Sequence, residues 1–254
     1  GNFILAKALI GSTGNFSEAP KKILTDASGN VFICGVFQGI MDFDPDTTVS
    51  YNLSGVFKDN FIAKYTSSGD LLWVKKIGGA MDDDLITFTL DAAGNIYATG
   101  RFRDSVDFDP GPGVQTLTSA GMMDIFISKM NATGDLIWAK RIGGPQFDYG
   151  IDICLSPTDD ILVCGSYQDS VDFDPDPGQT SYGVGSGIDM FVIKLDPSGN
   201  FSWVKSIGGP GSEIAQSIKT DAGGDIFFSG NFTGTVDFDP GPSVSYLTQP
   251  GINV

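Results

Sequence analysis

Residues 84–110, DLITFTLDAAGNIYATGRFRDSVDFDP, decide the fold. Two runs rich in β-branched and aromatic residues, Leu85–Leu90 and Ile96–Phe102, flank a short turn containing Gly94 and Asn95, which is the signature of a β-hairpin. Val106-Asp107-Phe108-Asp109-Pro110 follows, and segments of this type begin at Met41, Val106, Val171 and Val236, each 65 residues after the last. Working outward, Gly35, Gly100, Gly165 and Gly230 keep the same step, preceded by VFIC, IYAT, ILVC and IFFS. So do FIAK at Phe61, FISK at Phe126 and FVIK at Phe191. Trp73, Trp138 and Trp203 complete the pattern, each two residues before a Lys and then Ile-Gly-Gly. Self-similarity at a fixed period governs the whole architecture.

Each repeat therefore supplies four main strands, with DFDP and the following VQTLTS-type segment as an excursion between the second and the third. The expected fold is all-β: a β-propeller of four 65-residue repeats, in four-stranded antiparallel blades. Blades of the WD40 class run about 40–45 residues, and the excursion accounts for the excess. A stacked solenoid is the alternative. One domain, 1–254, is expected, in the repeat register 1–60, 61–125, 126–190 and 191–254. The ring is expected to be incomplete. Gly1 to Ser12 align, with one extra residue, to Gly199 through Gly209, so that Ile10 matches Ile207 and the N-terminus supplies a Trp-type strand; the fourth FxxK strand would begin near position 256. In an alternative register Phe3 to Lys7 form the FxxK strand. Either way an open edge invites a strand donated by a missing segment or by another chain.

Composition narrows the function. A net charge of −16 without a basic cluster argues against nucleic acid, which needs Lys and Arg to displace counterions. Of 31 acidic residues only Glu18 and Glu213 are Glu, so Asp holds positional roles in turns or at hard cations. No apolar run is long enough to span a bilayer. Gly1-Asn2-Phe3 lacks the layout of a signal peptide, so the chain reads as processed or trimmed. Three cysteines, Cys34, Cys154 and Cys164, form no closed disulfide framework. Cys154 and Cys164 are read as a cross-strand pair about the SPTDD turn, where a disulfide would be strained.

The pattern DxFIxKxxxxGxxxWxKxIGG, then an acid, then DxxGNIYxxGxF, resembles the secreted bacterial β-propeller repeat (SBBP-type) family over nearly the whole chain. The resemblance implies the propeller and export to the cell surface or medium. It implies no particular ligand or activity.

The absence of His removes Ser-His-Asp machinery and His-ligated metals. A carboxylate-dependent glycosidase or lyase stays open, but nearly every acid recurs from repeat to repeat, whereas a catalytic centre breaks symmetry; Asp160 and Asp176 are the few without counterparts. In each DFD the two Asp face one side of a strand and the Phe the other. Asp42, Asp44, Asp107, Asp109, Asp172, Asp174, Asp237 and Asp239 are thus candidate Ca²⁺ ligands, Ca²⁺ being the one cofactor considered; the competing role is capping of turn amides. Glu18, Asp83, Asp148 and Glu213 share a second register and are expected to bond backbone amides or a neighbouring Lys. The tryptophans are expected between blades, and Lys64, Lys129 and Lys194 to snorkel from blade faces.

The reading is a non-catalytic secreted or surface-exposed propeller that recognises or scaffolds protein or glycan partners. Its rivals are a carbohydrate-active enzyme using Asp in the central channel, and a structural spacer within a larger adhesin.

Overall fold

The computed structural model describes residues 6–11, 19–81, 83–176, 181–182 and 187–249, and every element in it is a strand or a turn. β1 (Ile10–Gly11) precedes the first unit, β2 (Ala19–Thr25), β3 (Val31–Asp42), β4 (Asn52–Tyr65) and β5 (Leu71–Gly79). The second comprises β6 (Asp84–Leu90), β7 (Ile96–Phe102), β8 (Ser105–Asp107), β9 (Thr116–Thr118), β10 (Asp124–Met130) and β11 (Leu136–Ile142). The third comprises β12 (Tyr149–Leu155), β13 (Ile161–Gln168), β14 (Val171–Asp172), β15 (Ser181–Tyr182), β16 (Ile188–Leu195) and β17 (Phe201–Ile207). The fourth has β18 (Ile214–Thr220), β19 (Ile226–Asn231), β20 (Thr235–Asp237) and β21 (Tyr246–Thr248).

Three antiparallel blades stand out, in the orders β2-β3-β4-β5, β6-β7-β10-β11 and β12-β13-β16-β17, with β18-β19 beginning a fourth. The excursion is a two-stranded ribbon, β8-β9, β14-β15 and β20-β21; in the first unit it is continuous with the blade, Asp42 standing opposite Asn52 at the end of the long β3-β4 pair. The ribbon turns away from the blade at a left-handed residue, and this position falls at the repeat step: Gly39, Asp104, Asp169 and Gly234, with φ of 84, 58, 62 and 74°. Gly adopts that conformation freely and Asp tolerates it, so either serves.

Three of the four buried apolar clusters lie between units; the fourth, which includes Phe37, Phe43, Phe61 and Tyr65, lies within the first. One cluster joins Phe32, Cys34 and Ile62 of the first unit to Leu85, Phe88 and Ile96 of the second. Another joins Tyr97, Ile125 and Ile127 to Ile153, Ile161 and Val163, and a third joins Cys164, Met190 and Val192 to Ala215 and Ile218. Face-to-face blades sharing apolar layers are the packing of a propeller, and β2, β6, β12 and β18 touch in succession. Among the described residues no cluster joins the fourth unit to the first.

Consecutive units are also stapled by backbone. The Gly78-Gly79 end of β5 pairs with Asp107 and Val106 of the next ribbon, and Gly143 bridges Asp172 in the same way. At β1, Ile10 and Gly11 stand opposite Asp42 and Met41. The segment therefore takes the place expected of a Trp-type strand, but one residue away from the sequence alignment: pairing equates Ile10 with Gly78, not with Ile77. Residues 1–5, which include most of the alternative Phe3 to Lys7 register, lie outside the described residues.

Candidate binding surface

The two glycines of Ile-Gly-Gly explain the buried acids beside them. A side chain at Gly78, Gly143 or Gly208 would collide with Asp59, Asp124 or Asp189, whose carboxylates lie against the bare glycine backbone. The second glycine donates its N–H to the following acid: Gly79 to Asp83 (2.9 Å), Gly144 to Asp148 (2.8 Å) and Gly209 to Glu213 (3.0 Å). Asp83 and Asp148 also accept the amides of Arg103 and Gln168. These acids are the backbone-bonding group that their register suggested, and all are buried. Lys76 pairs with Asp59 at 3.0 Å and Arg141 with Asp124 at 2.8 Å. Burial holds the carboxyls of Asp59 and Glu213 above their ordinary range and pushes Asp148 up to about 7, partly offset by its two amides. Glu18 lies outside the described residues.

The eight ribbon aspartates all accept amides of their own turns. Asp42, Asp107, Asp172 and Asp237 receive the N–H two residues on, at 3.0, 3.0, 3.2 and 3.1 Å. Three of them bind a second amide across the ribbon, from Tyr51, Gln115 and Ser245. Asp44, Asp109, Asp174 and Asp239 cap the next turn, through the amides of Asp46, Gly111, Asp176 and Gly241. This is the turn-capping role weighed against calcium, and one oxygen of each carboxylate is committed to it. Among the described residues no three His, Cys, Asp or Glu side chains are grouped to hold a metal. The intervening Phe43, Phe108 and Phe173 are fully buried, as the alternation requires.

Asp160 and Asp176 do have counterparts at the repeat step, Asp225 and Asp46, a correction to the sequence reading, and both have structural partners. In the first hairpin turns Asp26 and Asp91 hold the amides of Asn30 and Asn95; in the third unit Ser156 takes the first place and Asp160 the last, so the carboxylate has changed ends. From there Asp160 meets Lys194 at 2.7 Å, as Asp26 meets Lys64 at 3.3 Å. Asp176 pairs with Lys140 at 2.5 Å. Lys64 and Lys129 are held flat on blade faces, 4.6 and 4.8 Å from the centres of Phe32 and Tyr97. Their ammonium groups thus find protein partners, rather than simply snorkelling to water.

Trp73, Trp138 and Trp203 are half-buried against the inter-unit clusters, so they pack rather than offer platforms. Cys34, Cys154 and Cys164 are buried free thiols. Cys154 and Cys164 are not directly opposed, a correction to the sequence reading: the turn places Leu155 opposite Ile161, hence Cys154 opposite Leu162 and Cys164 opposite Asp152.

With the acids bonded internally, the notable exposed feature is the ribbon tip. Val49, Val114 and Val244 occupy one repeat position and are 54, 77 and 65% exposed. Tyr51, Tyr246 and Leu247 are exposed on the same ribbons. The signal was present in the sequence as a Val recurring five residues after the second Asp of DFD, but nothing there distinguished a contact residue from a strand residue. Between the first three units Asp84 is shared between Lys21 (3.4 Å) and Arg101 (3.3 Å), and Arg101 lies 4.7 Å from the centre of the Tyr149 ring.

No known family model matches the sequence. The chain is similar to the WD repeat-containing protein L264 of Acanthamoeba polyphaga mimivirus, 26% identical over 65% of this chain and 14% of that protein. It is also similar to the regulatory protein FlaEY of Caulobacter vibrioides, 24% identical over 71% of this chain and 18% of that protein. The chain thus spans less than a fifth of the length of either relative.

Proposed function

We propose that the chain is a non-catalytic recognition or scaffolding module, built on propeller blades and acting outside the cell or at its surface through its ribbons. The observation that carries this reading is the repeated, exposed valine at the ribbon tips, Val49, Val114 and Val244, on a body whose recurrent acids serve turns, ion pairs and backbone amides. Isolated exposed apolar residues are ordinary, but recurrence at one repeat position makes a multivalent apolar edge. A WD repeat-containing relative supports a propeller scaffold, and the SBBP-type pattern supports export.

Protein and glycan arrays probed with the chain and with a V49S/V114S/V244S variant test it. Binding that the triple variant loses supports the reading. Robust turnover of a polysaccharide, abolished by replacing a single Asp, would replace it with the carbohydrate-active alternative, and binding unaffected by the variant would remove the ribbons from it.

A further inference from the structure

The fourth unit presents a seat for one strand, and the first three units show what fills it. In each complete blade three aromatic rings meet. Phe61 lies 4.8 Å from Phe43 and 6.2 Å from Phe37; Phe126 lies 4.9 Å from Phe108; Phe191 lies 5.0 Å from Phe173 and 6.4 Å from Tyr167. The third ring always comes from the third strand, opposite a glycine: Phe61 opposite Gly35, Phe126 opposite Gly100, Phe191 opposite Gly165. In the fourth unit Phe232 and Phe238 form the pair at 5.1 Å, and among the described residues no third ring joins them. Phe238 is accordingly only partly buried, whereas Phe43, Phe108 and Phe173 are fully so.

The rest of the seat repeats the same lesson. Among the described residues the edge of β19 is open: β18 pairs with it on one side, where β3, β7 and β13 are each flanked on both. Its residues are exposed, Phe227 at 61% and Phe228 at 36%, against 1% at the equivalent Tyr97 and Ala98. A groove of about 150 Å³ lies beside it, walled by Val192, Trp203, Ile207, Ile226, Phe228 and Phe238. It continues the apolar layer already shared by the third and fourth units.

We propose that β19 accepts, antiparallel, an extended strand of this same repeat type with the pattern Asp-x-Phe-x-x-Lys. Register assigns each side chain a place. The Phe sits over Gly230 and closes the Phe232–Phe238 pair. The Lys, three residues on, stands opposite Phe227, as Lys64 stands opposite Phe32 and Lys129 opposite Tyr97, in both of which the ammonium lies over the ring. The residue between them on the same face as the Phe, and the one after the Lys, cover Phe228 and Ile226. Main-chain pairing supplies affinity and the ring supplies selectivity. The site draws Phe238 from the fourth ribbon but none of the ribbon-tip valines, so it stands or falls independently of the recognition reading.

The test uses the full chain and a labelled peptide of residues 188–196, IDMFVIKLD, followed by fluorescence anisotropy, with hydrogen exchange to locate it. Saturable binding is expected, with new protection on β19. The peptide with Phe→Ala, which leaves the protein unchanged, should bind about ten-fold more weakly or worse, and so should the intact peptide to a Phe228→Asp chain. Phe228 is exposed enough for that chain to fold, as circular dichroism will show. Absence of binding, equal binding by the Phe→Ala peptide, protection on another edge, or self-association of the chain that the peptide does not compete with would each overturn the proposal.

Discussion

Replacing Gly199 by Ala should destabilise the chain by about 2–5 kcal/mol, and the structure divides that figure into two parts. Gly199 has φ +87°, a left-handed conformation that costs an L-residue about 1–2 kcal/mol. An added Cβ would also stand 3.1–3.2 Å from three carbons of the Trp138 ring, which belongs to the preceding unit. Overpacking of this kind adds about 1–3 kcal/mol. Gly94 is the control: its φ is +81°, but a Cβ there meets only the Ala132 Cβ, at 3.5 Å, an ordinary contact. Gly94→Ala should therefore show the backbone part alone. In a Trp138→Ala background the two glycine substitutions should become equivalent, giving a coupling energy between Gly199 and Trp138 of about 1–3 kcal/mol. Urea denaturation followed by far-ultraviolet circular dichroism measures all five variants, with the slope checked for constancy. Equal costs at Gly94 and Gly199, or a Gly199→Ala cost unchanged without the indole, would refute the packing of Trp138 on the next unit.

Asp148 favours its protonated form in the folded chain, with a pKa near 7 against about 3.9 unfolded, so its contribution is fully present below about pH 4 and lost as pH rises through 7. Asp59 and Glu213 shift the same way, and melting temperature is expected to rise from pH 8 to pH 5; a fall over that window, or a slope unaltered in Asp148→Asn, would contradict the assignment. The thiols of Cys34 and Cys164 are pushed up to about 12 and that of Cys154 to about 11 by burial, so a thiol reagent at pH 8 should label none in the native chain and all three in denaturant. Asp107→Ala removes the acceptor of the Asp109 and Gln115 amides and should cost about 1–3 kcal/mol, whereas Asp107→Asn, which keeps an acceptor oxygen, should cost less than half as much. If the ribbons act only as capped turns, melting in EDTA and in millimolar Ca²⁺ should coincide; a higher midpoint with Ca²⁺, lost in Asp107→Asn, would add a cation to their role.

The blades and their ribbons were legible because the sequence prints the same strand pattern repeatedly, and a period of this kind survives local ambiguity. Register was less so. Ile10 pairs where a glycine does in the other units, and alignment by residue type placed it one position away. Cys154 and Cys164 looked opposed because the turn was centred one residue too far along the chain; the hydrogen bond from the Ser156 amide to the Asp160 carbonyl fixes its true centre. Asp160 looked singular beside Asn30 and Asn95 of the preceding repeats, but Asp225 holds the same place in the fourth unit, as Asp46 does for Asp176 in the first. The ribbon-tip valines were visible as letters but not as exposed side chains, since exposure depends on how far the ribbon stands from its blade.

Because three of the four apolar layers are divided between neighbouring units, only the first unit, with its Phe37, Phe43 and Phe61 cluster, holds a layer of its own. The chain should therefore behave as a line of coupled elements, with stability residing in the junctions rather than in the members. Opening should advance one junction at a time, so amide exchange should be slowest in β7, β10 and β13, which lie beside two intact junctions, and fastest in β19. A crosslink that spans one junction would raise the barrier at that step alone, leaving the sequence of openings on its far side unchanged.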